Sequence, residues 1–184
     1  MGIREQSGVK RSAVFLDRDG VINEAVIENG KPRPPRTSAE FRFVQGVKGS
    51  TLALSEAGFV LIVVTNQPDV ARGNTKREEV DTIHQKIKSE LGIDFIYCCF
   101  HDDKDNCECR KPKPGMLFTA ANELDLDLRK SYMVGDRWRD IAAGAMAGCT
   151  TIFFDYGYEE ESPRAPDLVA KEWGEVVDYI LGRK

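Results

Sequence analysis

Short apolar runs recur along this 184-residue chain with helix-patterned segments between them, and that alternation restricts the fold more than any other feature. Ala13–Leu16, Val60–Thr65, Ile93–Cys99, Ser131–Gly135 and Thr150–Phe154 read as strands. Lys48–Ala57, Thr75–Leu91, Pro114–Leu124, Trp138–Ala147 and a last segment near Trp173–Leu181 read as helices. Gly58 and Gly148 stand where two of these helices should stop. Strands that alternate with helices must be joined by crossovers, so they lie parallel. The expected fold is α/β: a doubly wound, Rossmann-like three-layer sandwich around a central, mostly parallel sheet. Residues 1–184 read as a single domain.

Two stretches fall outside this alternation. Glu24–Arg42 holds Pro32, Pro34 and Pro35, which no helix interior tolerates, and reads as a loop or short hairpin. Asp155–Asp167 carries three consecutive glutamates and two prolines and reads as a loop. A hydrophobic fraction of 41% with 30% charged residues suits a globular domain. The net charge of −4 argues against an electrostatic nucleic-acid surface, while a local basic pocket for a phosphorylated substrate stays compatible with it. No apolar run approaches the ~20 residues that cross a bilayer. Met1–Arg11 is polar and mixed in charge, unlike a signal or transit peptide, and a cytoplasmic protein is expected.

The first strand delivers Asp17 and Asp19 to its end, the place where a parallel sheet does its chemistry, and Gly20 lets the backbone turn away. Two carboxylates this close need positive charge between them, and magnesium with oxygen ligands meets that need. A solvated Asp-x-Asp-Gly turn is the plainer alternative for this segment alone.

Four of the five cysteines fall between Cys98 and Cys109, a poor disulfide framework and a good metal site, and the expected compartment is a reducing one. Cys98 or Cys99, with His101, Cys107 and Cys109, supplies three thiolates and an imidazole, the donor set of a closed structural zinc site. Cys149 stands apart as a small buried hydrophobe, and His84 reads as structural on its helix. Arg72-Gly73 can contact substrate or be a solvated loop.

Four pieces occur in order. They are Val-Phe-Leu-Asp-Arg-Asp-Gly-Val-Ile-Asn (14–23), Val-Leu-Ile-Val-Val-Thr-Asn (60–66), Arg110-Lys111, and Tyr-Met-Val-Gly-Asp (132–136) with Asp140 a helical turn on. The ordered set resembles the four motifs of the haloacid dehalogenase superfamily of phosphotransferases. The resemblance spans residues 12–154. It implies that Asp17 is the nucleophile and Asp19 the general acid/base. It also implies magnesium held by the Asp17 carboxylate, the Asp19 carbonyl and Asp136. Asp140 would lie behind the metal ligands or serve its helix N-terminus. Thr65 and Asn66 would hydrogen-bond the transferring phosphoryl group, and Lys111 would offset its charge. Neither gap between motifs holds enough chain for a separate cap domain, so short loops should select the substrate.

Adding the Cys-x-His and Cys-x-Cys pairs and Cys-Arg-Lys-Pro-Lys-Pro-Gly-Met (109–116) narrows the resemblance. It then points to the D-glycero-D-manno-heptose 1,7-bisphosphate 7-phosphatases, which are similar to the histidinol-phosphate phosphatase domain. The Cys-x-His spacing of that family selects Cys99 over Cys98 as the zinc ligand. By this resemblance Arg110 grips a second phosphate, at C1 of the sugar. Three loop stretches depart from the family pattern: Glu24–Arg36, Pro68-Asp69 after Gln67, and a shortened zinc loop. The expected partner is a small phosphorylated metabolite, a sugar bisphosphate, with a histidinol-phosphate or other small-metabolite phosphatase as the alternative. A zinc-loop interaction module without activity is the non-enzymatic alternative. A monomer is compatible with these features, which do not define the oligomeric state.

Overall fold

The computed structural model describes residues 10–28 and 31–183. The reading of the polar N-terminal segment falls mostly on residues 1–9, outside the described residues. The chain order is β1 (Ala13–Leu16), β2 (Val26–Glu28), β3 (Lys31–Arg33), α1 (Val47–Glu56), β4 (Val60–Asn66), α2 (Arg77–Leu91) and β5 (Phe95–Cys99). It continues with α3 (Gly115–Leu124), β6 (Tyr132–Gly135), α4 (Trp138–Ala147), β7 (Thr150–Phe154), β8 (Leu168–Ala170) and α5 (Trp173–Leu181).

Six strands form one sheet in the order β5-β4-β1-β6-β7-β8, every neighbouring pair parallel. β1 lies at its centre, paired with β4 on one side and β6 on the other, and all four of its side chains are buried. Alternation along the strands sorts them onto the two faces. Val14, Leu16 and Val63 pack with Val47 and Leu54 of α1, Ile83 and Ile87 of α2, and Trp173 and Val176 of α5. Ala13, Phe15, Ile62 and Val64 pack with Met116 and Leu117 of α3 and Ala143 of α4. These are the two helical layers of the expected sandwich. α4 lies especially close to the sheet, since a Cβ on Gly144 would stand 2.5 Å from that of Met133.

The expected strand and helix positions hold within a few residues, with local corrections. β5 begins at Phe95 and not at Ile93. Ser131 precedes β6: its hydroxyl donates to the Asp127 carbonyl (2.7 Å) and accepts from the Ala13 amide (2.9 Å), tying this loop to the first residue of β1. α2 begins at Arg77: Lys76 before it is extended, and the Thr75 hydroxyl donates to the Arg36 carbonyl. Strand β8 is additional to the strands the sequence pattern predicts; at three residues, with only Ala170 buried, it lacks a readable periodicity. The proline-rich stretch contains the antiparallel hairpin β2-β3, whose connecting residues lie outside the described ones.

Candidate active site

The carboxyl ends of β1, β4 and β6 and the loop after β5 enclose a cavity of about 270 Å³. Asp17, Asp19, Asn66, Arg110, Lys111, Asp136 and Asp140 all line it. β1 ends at Leu16, so Asp17 and Asp19 lie just past the strand and outside its alternation. A turn brings both to the cavity: the Gly20 amide donates to the Asn23 carbonyl at 2.7 Å, with Gly20 at φ +87°. A side chain at Gly20 would collide with Asp136, whose Oδ2 lies 2.0 Å from an ideal Cβ position. The turn thus brings backbone hard against a carboxylate, which only glycine permits.

Lys111 is the electrostatic centre. Its ammonium, 2% exposed, donates to Asp17 Oδ1 and the Val64 carbonyl, both at 2.8 Å, and lies 2.6 Å from Asp140 Oδ1. Burial works against its charge, but Asp140 and Asp17 outweigh burial and hold its pKa above the ordinary lysine value. Burial pushes Asp17 up to about 7, with Lys111 opposing and the charges of Asp140 and Asp19 adding to the rise. Asp136 is raised well above the usual carboxylate range by burial and by the neighbouring Asp17 and Asp140.

Asp17, Asp136 and Asp140 each offer an oxygen within 4.8 Å of the others, against one lysine. Asp136 Oδ1 is buried without a hydrogen-bond partner. A hard divalent cation fits this excess of oxygen donors and the orphaned acceptor. Asp140 also serves its helix: its Oδ2 accepts from the Arg137 amide at 3.0 Å at the start of α4.

Asp19 is held by residues that the motif reading did not single out. Its carboxylate accepts from Arg18 Nε and Nη2 (3.1 and 2.9 Å), Asn23 Nδ2 (3.0 Å) and Gln67 Nε2 (2.7 Å). Arg18 is fully buried, and its Nη1 lies 3.4 Å from Nε2 of the buried His84. Burial and the Arg18 charge lower His84 to about 4, keeping it neutral behind the arginine. An arginine between two strand-end aspartates was the available signal for this support.

Thr65 and Asn66 are engaged within the protein. The Thr65 hydroxyl accepts from Gln67 Nε2 at 2.8 Å, and the Asn66 amide bonds to the main chain of Lys111. The hairpin also reaches the site, through Pro32, Arg33 and Pro34.

The loop after β5 gathers Cys99, His101, Cys107 and Cys109 into one cluster, with Cys98 not among them. Five of their separations are 3.3–3.7 Å, measured from His Nδ1 and the sulfurs. Ligands on a tetrahedral zinc with bonds of about 2.0–2.3 Å stand about 3.3–3.8 Å apart. The donor types and spacing therefore fit that ion. The chain passes from Cys109 directly to Arg110 and Lys111, and a 3-10 turn over Asp103–Asp105 lies inside the loop. Arg110 Nε donates to Asp103 Oδ1 at 2.8 Å.

A family model for HAD-hydrolase-like proteins matches residues 108–176. The chain is 38% identical over 153 residues to the D-glycero-beta-D-manno-heptose-1,7-bisphosphate 7-phosphatase of Vibrio cholerae, covering 77% of this chain and 79% of that one. The enzyme of the same name from Photorhabdus laumondii is 37% identical, with 94% and 96% covered. Among solved structures, a D,D-heptose 1,7-bisphosphate phosphatase of B. bronchiseptica, complexed with magnesium and phosphate, superposes with a TM-score of 0.77. It shares 28% identity over 94% of this chain and 99% of its own. A parallel sheet that carries paired aspartates at its central strand, together with relatives matched over most of their length, leads to one conclusion: this chain is a phosphatase and belongs to the haloacid dehalogenase-like hydrolases, among the heptose-bisphosphate phosphatases.

Proposed function

We propose that the chain, working as a single domain, removes the 7-phosphate of D-glycero-D-manno-heptose 1,7-bisphosphate through an aspartyl-phosphate intermediate. The observation that carries the chemistry is the buried Asp17–Lys111–Asp140 array at the end of the central strand. The substrate rests on the curated relatives, which are named for that bisphosphate.

In this reading an oxygen of Asp17 attacks phosphorus. The Asp17 O–P bond forms as the ester O–P bond breaks, and Asp19 gives its proton to the leaving alkoxide. Asp19 then takes a proton from water. The water oxygen bonds to phosphorus, the Asp17 O–P bond breaks, and inorganic phosphate leaves. Lys111 holds Asp17 by Oδ1 and offsets the phosphoryl charge, while Asn66 fixes the lysine main chain. Thr65 supports the site through Gln67, and Asp140 positions Lys111. Magnesium would be held by Asp17, Asp136 and the Asp19 carbonyl, supplying the charge that lets a phosphate dianion approach a carboxylate. Zinc would be held by Cys99, His101, Cys107 and Cys109, a closed set that fixes the loop carrying Arg110. Arg110 receives the phosphate at C1.

The test compares heptose 1,7-bisphosphate, histidinol phosphate and an aryl phosphate under identical magnesium, with ³¹P NMR identifying which phosphate of the heptose is lost. The expected result is highest kcat/KM for the heptose bisphosphate, with its 1-phosphate retained. Preference for histidinol phosphate would replace the substrate while keeping the mechanism. Absence of magnesium-dependent turnover on all three would sink both and favour an interaction module.

A further inference from the structure

Asp103, in the metal-loop turn, touches two arginines from different parts of the chain. Its Oδ1 accepts from Arg110 Nε at 2.8 Å, and its Oδ2 accepts from Arg72 Nη2 at 2.9 Å. Arg72 comes from the segment after β4 and is held a second time, since its Nε donates to Asp102 Oδ1 at 2.8 Å. Both arginines line the cavity that contains Asp17. One carboxylate therefore ties together two cationic groups on one wall of the site.

The donors of the two guanidiniums are used unequally. Arg110 spends Nε on Asp103 and has a long 3.5 Å contact from Nη1 to the His101 carbonyl. Arg72 spends Nε and Nη2 on Asp102 and Asp103. Among the described residues, Arg110 Nη2 and Arg72 Nη1 donate no hydrogen bond, and Arg72 Nη1 lies 3.9 Å from Asp69 Oδ1. Each guanidinium is anchored along one edge and keeps free N–H groups on another. Two anchored forks suit a phosphate, which has enough oxygens to accept from both.

We propose that Arg72 is a second recognition group for the non-reacting phosphate, joining Arg110, and that Asp103 is the positioning residue that holds the pair. This rests on the substrate bearing two phosphates. The Asp103 bridge makes the metal loop a specificity element: the turn inside it sets the spacing of both guanidiniums. Asp103 reaches the substrate only through them.

The experiment measures kcat and KM for two substrate pairs, heptose 1,7-bisphosphate with heptose 7-phosphate, and fructose 1,6-bisphosphate with fructose 6-phosphate. The proteins are wild type, Arg72→Ala, Asp103→Ala, Arg72→Ala/Arg110→Ala, and that double variant with Asp103→Ala added. The expected result is a bisphosphate-over-monophosphate ratio of kcat/KM that falls about tenfold or more in Arg72→Ala, chiefly through KM. Asp103→Ala should lower the ratio as well, yet change it no further once both arginines are gone. Melting temperatures identify any variant that is merely unfolded, and Arg72→Lys, which keeps charge without the fork, then reads the same ratio and should recover it only in part. An unchanged ratio in the Arg72 variants overturns the assignment, and a ratio that rises in Asp103→Ala overturns the positioning role by showing that the acid competes with substrate. Failure of the heptose pair alone, with an Arg72-dependent preference surviving on the fructose pair, removes the heptose reading and leaves the two-arginine subsite standing. Wild type with no preference in either pair removes the subsite.

Discussion

Asn66, the last residue of β4, and Lys111 exchange two hydrogen bonds: Asn66 Nδ2 donates to the Lys111 carbonyl at 3.0 Å and the Lys111 amide donates to Asn66 Oδ1 at 3.1 Å. An amide side chain makes both bonds at once, which an ionised carboxylate, an acceptor only, cannot do. The pair locks the main chain of the lysine to a sheet strand, while the ammonium reaches across to Asp17.

Asn66→Ala should therefore act through Lys111. The lost pair leaves two backbone groups at the site short of a partner and frees the lysine to shift, so kcat should fall by about ten- to a hundredfold. Asn66→Asp keeps the acceptor for the Lys111 amide but loses the donor and adds negative charge beside a phosphate; it should be no better than alanine. Wild-type kcat in both variants would show that the lysine is held without Asn66.

Asp17→Asn should fold and lose activity by about 10⁴-fold or more, because an amide cannot serve as the attacking carboxylate. The metal-free variant should melt no lower than wild type. Asp17 is a buried carboxylate pushed up to about 7, so replacing it relieves a crowded set of acids. Peptide-level mass spectrometry of wild type quenched during turnover should place phosphate on Asp17, and an adduct elsewhere would overturn the scheme.

Magnesium should stabilise the protein more as pH rises. The folded Asp17 pKa, about 7, lies above its ordinary value of 3.8, so the metal-free folded state binds the extra proton between those values. The contribution of this group to metal-free stability is present at low pH and is lost as pH rises through 7. Asp136, also raised, acts in the same direction. His84 has the opposite sign, being lowered to about 4, but it is common to samples with and without the ion. The difference in melting temperature between them should be small near about pH 5.5 and large near about pH 8. A difference independent of pH would place the ion away from these carboxylates.

Stripping zinc with a strong chelator and then restoring magnesium, or changing Cys107 and Cys109 to serine, should lower the melting temperature and raise KM more than it lowers kcat. A closed zinc site contributes folding free energy directly, and this loop carries Arg110 and its partner Asp103. Metal analysis of the untreated protein should find stoichiometric zinc. Protein without zinc, together with a serine double variant of wild-type behaviour, would remove the ion from the account.

Local sequence determined the elements and the donor types. β1, α4, β7 and α5 are legible from apolar runs, helical spacing and a stop glycine, because these signals come from neighbours in the chain. The same holds for the carboxylates and for the cysteine cluster, where short spacing limits which atoms can meet. Tertiary structure decided what spans long separations. Lys111 meets Asp17 across 94 positions and Asn66 across 45, and nothing in the local pattern at 111 marks it as a buried lysine. Strand β8 exists because β7 offers an edge to pair with, not because three residues prefer extension. Arg18 against His84, Gln67 against Asp19 and the Asp103–Arg72 contact likewise depend on groups brought together by the parallel order of β5, β4 and β1. Periodicity reports which face a residue takes within its own element, whereas its partner is set by packing between elements, which a linear pattern does not encode.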